Sequence, residues 1–172
     1  MPADSTPRRP TPDLSHVLEA LVRLVERRSG NFRASILLLS QDGLHLLDAA
    51  APNLPDEYRR LIHGLLIGES AGSCGTAAWR NQPVIVTDIE HDPLWTMYRD
   101  IARPFGLAAC WSHPIRDSEG SVLGTFAMYY DSPRAPDDAE LDLIATAAAR
   151  AGTIVEQARA GVSSEELVAS LG

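Results

Sequence analysis

The chain has no lysine. Its fifteen basic residues are all arginine, set against 23 acidic ones, and the net charge over 172 residues is −8. Without lysine there is no Schiff-base nucleophile, no lysine general base and no phosphate-gripping P-loop. An acidic total with dispersed arginines argues against nucleic acid or an anionic membrane as the main partner. Cysteine is almost as scarce: two residues are too few for a disulfide framework or a four-thiolate zinc site. No apolar run approaches the roughly 18 residues that span a bilayer, and the start lacks a signal-peptide pattern. These absences point to a soluble cytoplasmic protein.

What is present suits one globular domain. With 45% hydrophobic and 22% charged residues, the chain is long enough to bury a core and too apolar to be disordered. Residues 1–10, rich in proline and polar side chains, read as a disordered lead-in. Thr11-Pro12-Asp13 then reads as a helix start, with Thr11 as the cap. Leu14, Leu18, Leu21, Val25 and Arg28 follow at spacings of four and three, and Gly30 stops the helix.

Two hairpins frame the middle. Residues 34–51 are two apolar runs around Gln41-Asp42-Gly43, and Asp-Gly favours the positive φ of a tight turn. A second hairpin is predicted over 107–130, turning at Arg116 to Gly120. Between them, 55–63, 73–81 and 94–104 read as helices, and Pro83-Val84-Ile85-Val86 as a short strand. A long helix runs from about Asp137 to Ala160, opened by a capping-box-like Asp137 and Glu140. Its stripe of Leu141, Ile144, Ala148, Ala151, Val155 and Ala158 has coiled-coil spacing and small residues. Residues 161–172 form a tail or begin a further signalling helix. The plan is α+β, an antiparallel sheet with covering helices, and the two terminal helices are expected side by side on one face.

That plan, with GESAGSCGTAAWRNQPVIVTDI (68–89), DPLWTMYRDIARPFGLAACWSHPI (92–115) and GSVLGTFAMYY (120–130), resembles the GAF domain family of small-molecule sensors over about residues 14–160. The resemblance implies a GAF-like six-stranded antiparallel sheet, with a ligand pocket on one face roofed by the middle helices. It also implies terminal helices packed on the other face that support a homodimer. Relatives of this type are fused to histidine kinases or to diguanylate cyclases and phosphodiesterases. Residues 11–160 would be the GAF domain. No GGDEF, EAL or kinase motif occurs in the sequence, so an output domain would belong to a longer parent. The expected partner is an unidentified small molecule, and the protein is expected not to be an enzyme.

Several residues carry candidate chemistry. Cys74, in Ser73-Cys74-Gly75-Thr76, falls where a helix begins, a position that lowers a thiol's pKa and welcomes anions. It reads either as a reactive thiol or anion-binding rim, or as a small residue filling a tight turn. On the predicted strand Ala109 to His113, Cys110 and Ser112 share one face and Trp111 and His113 the other. That parity separates the two ends of the Cys-x-x-His spacing and weakens a zinc reading. Which face lines the pocket is open. Trp95 and Tyr98, three apart, suit a planar or apolar ligand with a polar edge, or equally a core. Trp111 and Tyr129 are further candidates.

Asp88, His91 and Asp92 form either a metal-ligand cluster or a turn in which Asp92-Pro93 caps the next helix. The residues expected to bind the ligand are Cys74, Asp88, Trp95, Tyr98, Cys110 and Ser112, with no metal site assigned. Arg99 or Arg103 could clamp an anion, or pair locally with Asp100. No motif selects His45, His63 or His113 as a haem ligand, and no Cys-His pair suits a bilin, so the cofactor is left unassigned. Two alternatives remain: a ligand-free dimerisation module, and a thiol-based redox sensor or free methionine sulfoxide reductase-like enzyme using Cys74 and Cys110. The reductase pattern places its nucleophile in an Ala-Cys-Asp segment before the strand. Here residues 88–95 contain no cysteine.

Overall fold

The computed structural model describes residues 10–28 and 31–172. Residues 1–9 of the predicted lead-in and the predicted stop at Gly30 lie outside the described residues. Helix α1 (Pro12–Glu26) starts as its sequence dictates, with the Leu14 amide donating to Thr11 Oγ1 at 3.4 Å. Val17, Leu18, Leu21 and Val25 form its buried stripe, whereas Arg28, expected on that stripe, is exposed beyond the helix end. Glu26 turns inward at this point. Its carboxylate accepts the Ala34 amide at 2.9 Å and a hydrogen bond from the Asn53 side chain, so the buried charge is partnered.

The sheet is built from β1 (Arg33–Leu39), β2 (His45–Ala50), β3 (Leu65–Leu66), β4 (Val84–Val86), β5 (Ala109–Arg116) and β6 (Val122–Tyr130). All neighbours are antiparallel, in the order β3-β2-β1-β6-β5-β4. The first turn forms where predicted, with Gly43 at a φ of +72°. Both long hairpins are buried on both faces, so their side chains alternate between two separate cores. Ala34, Ile36, Trp111, Phe126 and Met128 pack against α1 and α5 (Asp138–Arg159). Leu37, Leu46, Cys110, Ala127 and Tyr129 face the opposite way, under α2 (Asp56–Ile62) and α3 (Gly72–Arg80).

Helix α5 opens with a complete capping box: Asp137 accepts the Glu140 amide at 2.8 Å and Glu140 accepts the Asp137 amide at 3.1 Å. Most of its small-residue stripe is spent inside the chain. Ile144, Ala148, Ala151 and Val155 are buried against the sheet and α1, while Leu141 is exposed. Close approach explains the small residues, because a Cβ on Gly152 would overlap the Arg116 carbonyl of β5. The tail forms α6 (Ser164–Ala169), capped by Ser163 Oγ at 3.3 Å, and folds back to bury Leu167 beside α1 and α5.

Two local expectations differ from the structure. The two-residue edge strand β3 was not anticipated, because so short a segment carries no alternation. The helix expected over 94–104 is instead three short pieces: 3₁₀ turns at Pro93–Trp95 and Arg103–Phe105 around a single α-turn, α4 (Arg99–Ala102). Pro104, which lacks an amide proton, stops α4 from continuing into the last of these turns. No helix among the described residues is long and apolar enough to cross a membrane.

Two substitutions test this account. Gly152→Val should lower unfolding stability in urea by roughly 1–3 kcal/mol through overpacking against β5. Asp137→Ala should remove about 1 kcal/mol by loss of the cap. An unchanged urea midpoint in the glycine variant would contradict the close α5–β5 approach.

Candidate functional site

Strand register brings the polar residues together. Directly opposed residues of antiparallel strands project to the same face. Ser35, Ala127 and Ser112 therefore form one row across β1, β6 and β5, with Tyr129 and Cys110 in the next. The first turn of α3 lies over these rows. Gly72, at a φ of +65°, turns the chain into the helix, and the Trp95 ring lies against it. The Trp95 indole donates to Ser73 Oγ at 3.0 Å, and Ser73 Oγ donates to the Cys110 carbonyl at 2.8 Å. One buried hydroxyl thus ties the 93–105 segment, α3 and β5 to each other.

Under this roof is a cavity of about 30 Å³, room for a water-sized molecule only. Its lining includes Leu37, Tyr58, Ile62, Ser73, Cys74, Trp95, Tyr98, Ile101 and Tyr129. The Tyr58 hydroxyl donates to that of Tyr129 at 3.1 Å, and the rings meet edge to face at 5.8 Å. Burial pushes both phenols well above their ordinary pKa, so both stay protonated. Behind the cavity, the hydroxyls of Ser35, Ser112 and Thr125 are buried with no hydrogen-bond partner among the described residues.

Both cysteines are free and buried. Cys74 sits in the first turn of α3 and packs in the same buried layer as Cys110. The influence of the Cys110 thiol is the largest of those that hold its pKa down to about 7, with smaller contributions from Ser112, Thr125 and Tyr129. The hydroxyls of Ser112 and Thr125 themselves have no hydrogen-bond partner among the described residues. Cys110 shifts the opposite way. Burial, then the neighbouring Cys74, raises its pKa well above the ordinary thiol range.

The structure sorts the residues expected at the site. Cys74, Trp95 and Tyr98 line the cavity, and Cys110 and Ser112 lie on the same sheet face beneath α3. Asp88 is not with them. It lies in a surface turn, where it accepts the Glu90 amide at 3.1 Å and pairs with His91 at 2.8 Å, and this pairing lowers its pKa. Asp92 caps the next turn by accepting the Leu94 amide at 2.9 Å. No group of three potential metal ligands occurs among the described residues. Arg103 is paired with Glu90 at 2.7 Å and Asp100 at 2.6 Å, and Arg99 donates to the Asp92 carbonyl, so both serve the local turn.

Trp111 points to the terminal helices and bonds the Arg134 carbonyl at 3.1 Å, while Tyr129 faces the cavity. Tyr58, Ser73 and Thr125 were missed. The signal for Thr125 was available in the register of the second hairpin, which pairs it within the same alternation as Tyr129. Larger hollows, such as an open cleft of about 590 Å³ beside Arg33, Tyr130 and Arg134, lie elsewhere on the surface. In that cleft Arg134 is committed to Glu140 at 2.9 Å and stacks on Tyr130. The small cavity, where aromatic, thiol and hydroxyl groups converge, is the stronger candidate site.

A six-stranded antiparallel sheet, with terminal helices on one face and a roofed cavity on the other, defines an α+β domain of the GAF type. The chain belongs to the GAF domain family, whose model matches residues 13–155. It is 36% identical over 153 residues to the methyl sulfide methyltransferase-associated sensor of Methanosarcina acetivorans. That match covers 89% of this chain but only 15% of the archaeal protein. The fold is also similar to a domain assigned to a two-component sensor histidine kinase of Sinorhizobium meliloti 1021, with a TM-score of 0.70 and 26% identity, covering 84% of this chain and 92% of that one. A type II free methionine-R-sulfoxide reductase from Thermoplasma acidophilum has the same fold at 16% identity, with a TM-score of 0.64 and coverage of 84% and 96%.

The thiol pair gives stability a pH dependence. A thiol whose pKa is depressed on folding stabilises the protein above its unfolded value, and that contribution is lost as pH falls through the folded value. Unfolding free energy should therefore rise as pH increases from about 7 to an unfolded thiol value of about 8.5. Cys110, shifted upward, opposes this only at higher pH. Urea titrations across this window should show the rise in wild type and lose it in Cys74→Ser. Parallel curves for the two proteins would contradict the depressed thiol.

Proposed function

We propose that this chain is a small-molecule-sensing regulatory domain of cytoplasmic location, without catalytic activity of its own. The observation that carries the reading is the roofed cavity. Aromatic residues of a segmented lid meet a sheet face whose buried hydroxyls lack partners. Unsatisfied buried hydroxyls are costly in a fold and point to an additional binding partner. The sensor relative and the kinase-associated domain support the same class.

At about 30 Å³ the cavity is closed to anything larger than water. A ligand would enter by displacing Trp95, Tyr98 and Ile101, which belong to the segment with the least regular structure. Occupancy would favour an open arrangement over the closed one, and the ligand's greater affinity for the open state sets how far the balance moves. The change would pass through β5 and β6 to α1 and α5, and from there to a homodimer partner or to a kinase or cyclase in a longer parent. With the α5 stripe mostly buried, a dimer would use the exposed faces of the terminal helices, including Leu141.

Native mass spectrometry of the purified chain, with thermal shift across cyclic nucleotides, amino acids and anions, tests the reading. A retained mass, or a melting temperature raised by a few degrees, is the expected result, and Trp95→Ala should alter that response. No retained mass and no shift across the panel would favour a structural dimerisation module. Turnover of free methionine sulfoxide by the reduced protein would overturn the non-enzymatic assignment.

A further inference from the structure

Cys74 and Cys110 are the chain's only cysteines, and the fold brings them from two different elements into one buried layer. The Ser73 Oγ bond to the Cys110 carbonyl at 2.8 Å fixes the first turn of α3 onto β5 at the residue that carries the second thiol. Cys74 lines the cavity, whereas Cys110 lies behind it, fully buried. The hydroxyls of Ser112 and Thr125 are buried, unpartnered and on the same sheet face beneath Cys74. Cys74 also occupies the first turn of a nine-residue helix, where backbone amides favour negative charge.

We propose that Cys74 and Cys110 form a peroxide-reactive dithiol that closes to a disulfide and ties α3 to β5. The inference goes beyond the ligand-sensing reading and does not depend on it. Cys74 is the attacking sulfur, because it alone of the two lines the cavity; peroxide, like any ligand larger than water, would reach it by displacing the lid residues Trp95, Tyr98 and Ile101. Its thiolate attacks one peroxide oxygen: an S–O bond forms, the O–O bond breaks, and the departing hydroxide takes up the proton the thiol released and leaves as water. The sulfur is then a sulfenic acid. The Cys110 thiol attacks that sulfur, an S–S bond forms, the S–O bond breaks, and a second water leaves with the Cys110 proton. Two thiols are oxidised and one peroxide is reduced to two waters.

Ser112, Thr125 and Tyr129 are the groups positioned to donate to the thiolate, which the depressed pKa of Cys74 reflects. The bond would form next to the Ser73 link to Trp95, so oxidation would stiffen the attachment of the cavity roof to the sheet.

The full chain, treated with hydrogen peroxide and then alkylated in denaturant, gives a direct test by intact mass. The expected product is a monomer lighter by two hydrogens, with no thiol left to alkylate. With two cysteines in the chain, that product has one possible pairing. The rate should rise about tenfold from pH 6 to pH 8, following ionisation of a thiol with a pKa of about 7. Cys110→Ser should stop at a sulfenic acid on Cys74, trapped by a dimedone-type reagent, and Cys74→Ser should leave Cys110 reduced. Two alkylatable thiols after excess peroxide would overturn the proposal, as would over-oxidation of Cys74 without a disulfide. Equal oxidation of Cys110 in the absence of Cys74 would also overturn it. The wild-type mass readout holds even if a variant fails to fold.

Discussion

Burial of both faces of the central strands is the constraint on which the rest of the structure depends. A strand that meets solvent on one side can place polar groups there at little energetic cost. Here the middles of β1, β5 and β6 have no such side, and most of their residues join one of two dry layers. The division is chemical as well as spatial. The layer under α1 and α5 is filled by alanines, branched aliphatics and aromatics whose polar tips reach outward, as with Trp111 to Arg134 and Tyr130 to Glu140. The layer under α3 holds the thiols, three hydroxyls without partners and a bonded tyrosine pair. Buried polar groups without partners are destabilising, and the hydroxyls that lack partners all lie in the layer under α3.

The roof over that face is made differently from the rest of the molecule. The terminal helices are long, capped and packed by extended apolar stripes. Between Asp88 and Phe105 the chain instead advances through short turns held by side-chain caps and surface ion pairs, with Trp95 as its buried anchor. Few backbone bonds would have to break for it to move, because little regular structure is present to lose. The scaffold is therefore stiff where it would pass a change onward and loose where it would receive one.

Much of this was legible in the sequence. Apolar runs flanking the Asp-Gly turn and the Arg116 to Gly120 turn located the hairpins, and the Thr11 and Asp137 caps located the terminal helices, because those signals are local. Strand alternation paired Cys110 with Ser112 and separated both from Trp111, although it could not say which face carried the cavity. What escaped was non-local. Nothing near Tyr58 signals a hydrogen bond to a residue 71 positions away, and the two residues of β3 take their conformation from β2. One helix was expected over 94–104, but the apolar pattern does not register the break between Trp95 and Arg99. Asp88 was expected among the ligand-binding residues, yet an aspartate two residues before an amide from which it can accept closes its own turn.

Two neighbouring residues on β6 link the two layers. Tyr129 ends in the cavity against Tyr58, while Tyr130 points through the other face and donates to Glu140 at 2.8 Å, inside the box that caps α5. Two side chains on opposite faces of one strand are thus joined by a single rigid peptide, so a displacement of the strand at this point carries both rings. The sheet is in this respect less a wall between compartments than a pivot. Its lever arms are two phenol rings, and the far arm rests on the first turn of the longest helix in the fold.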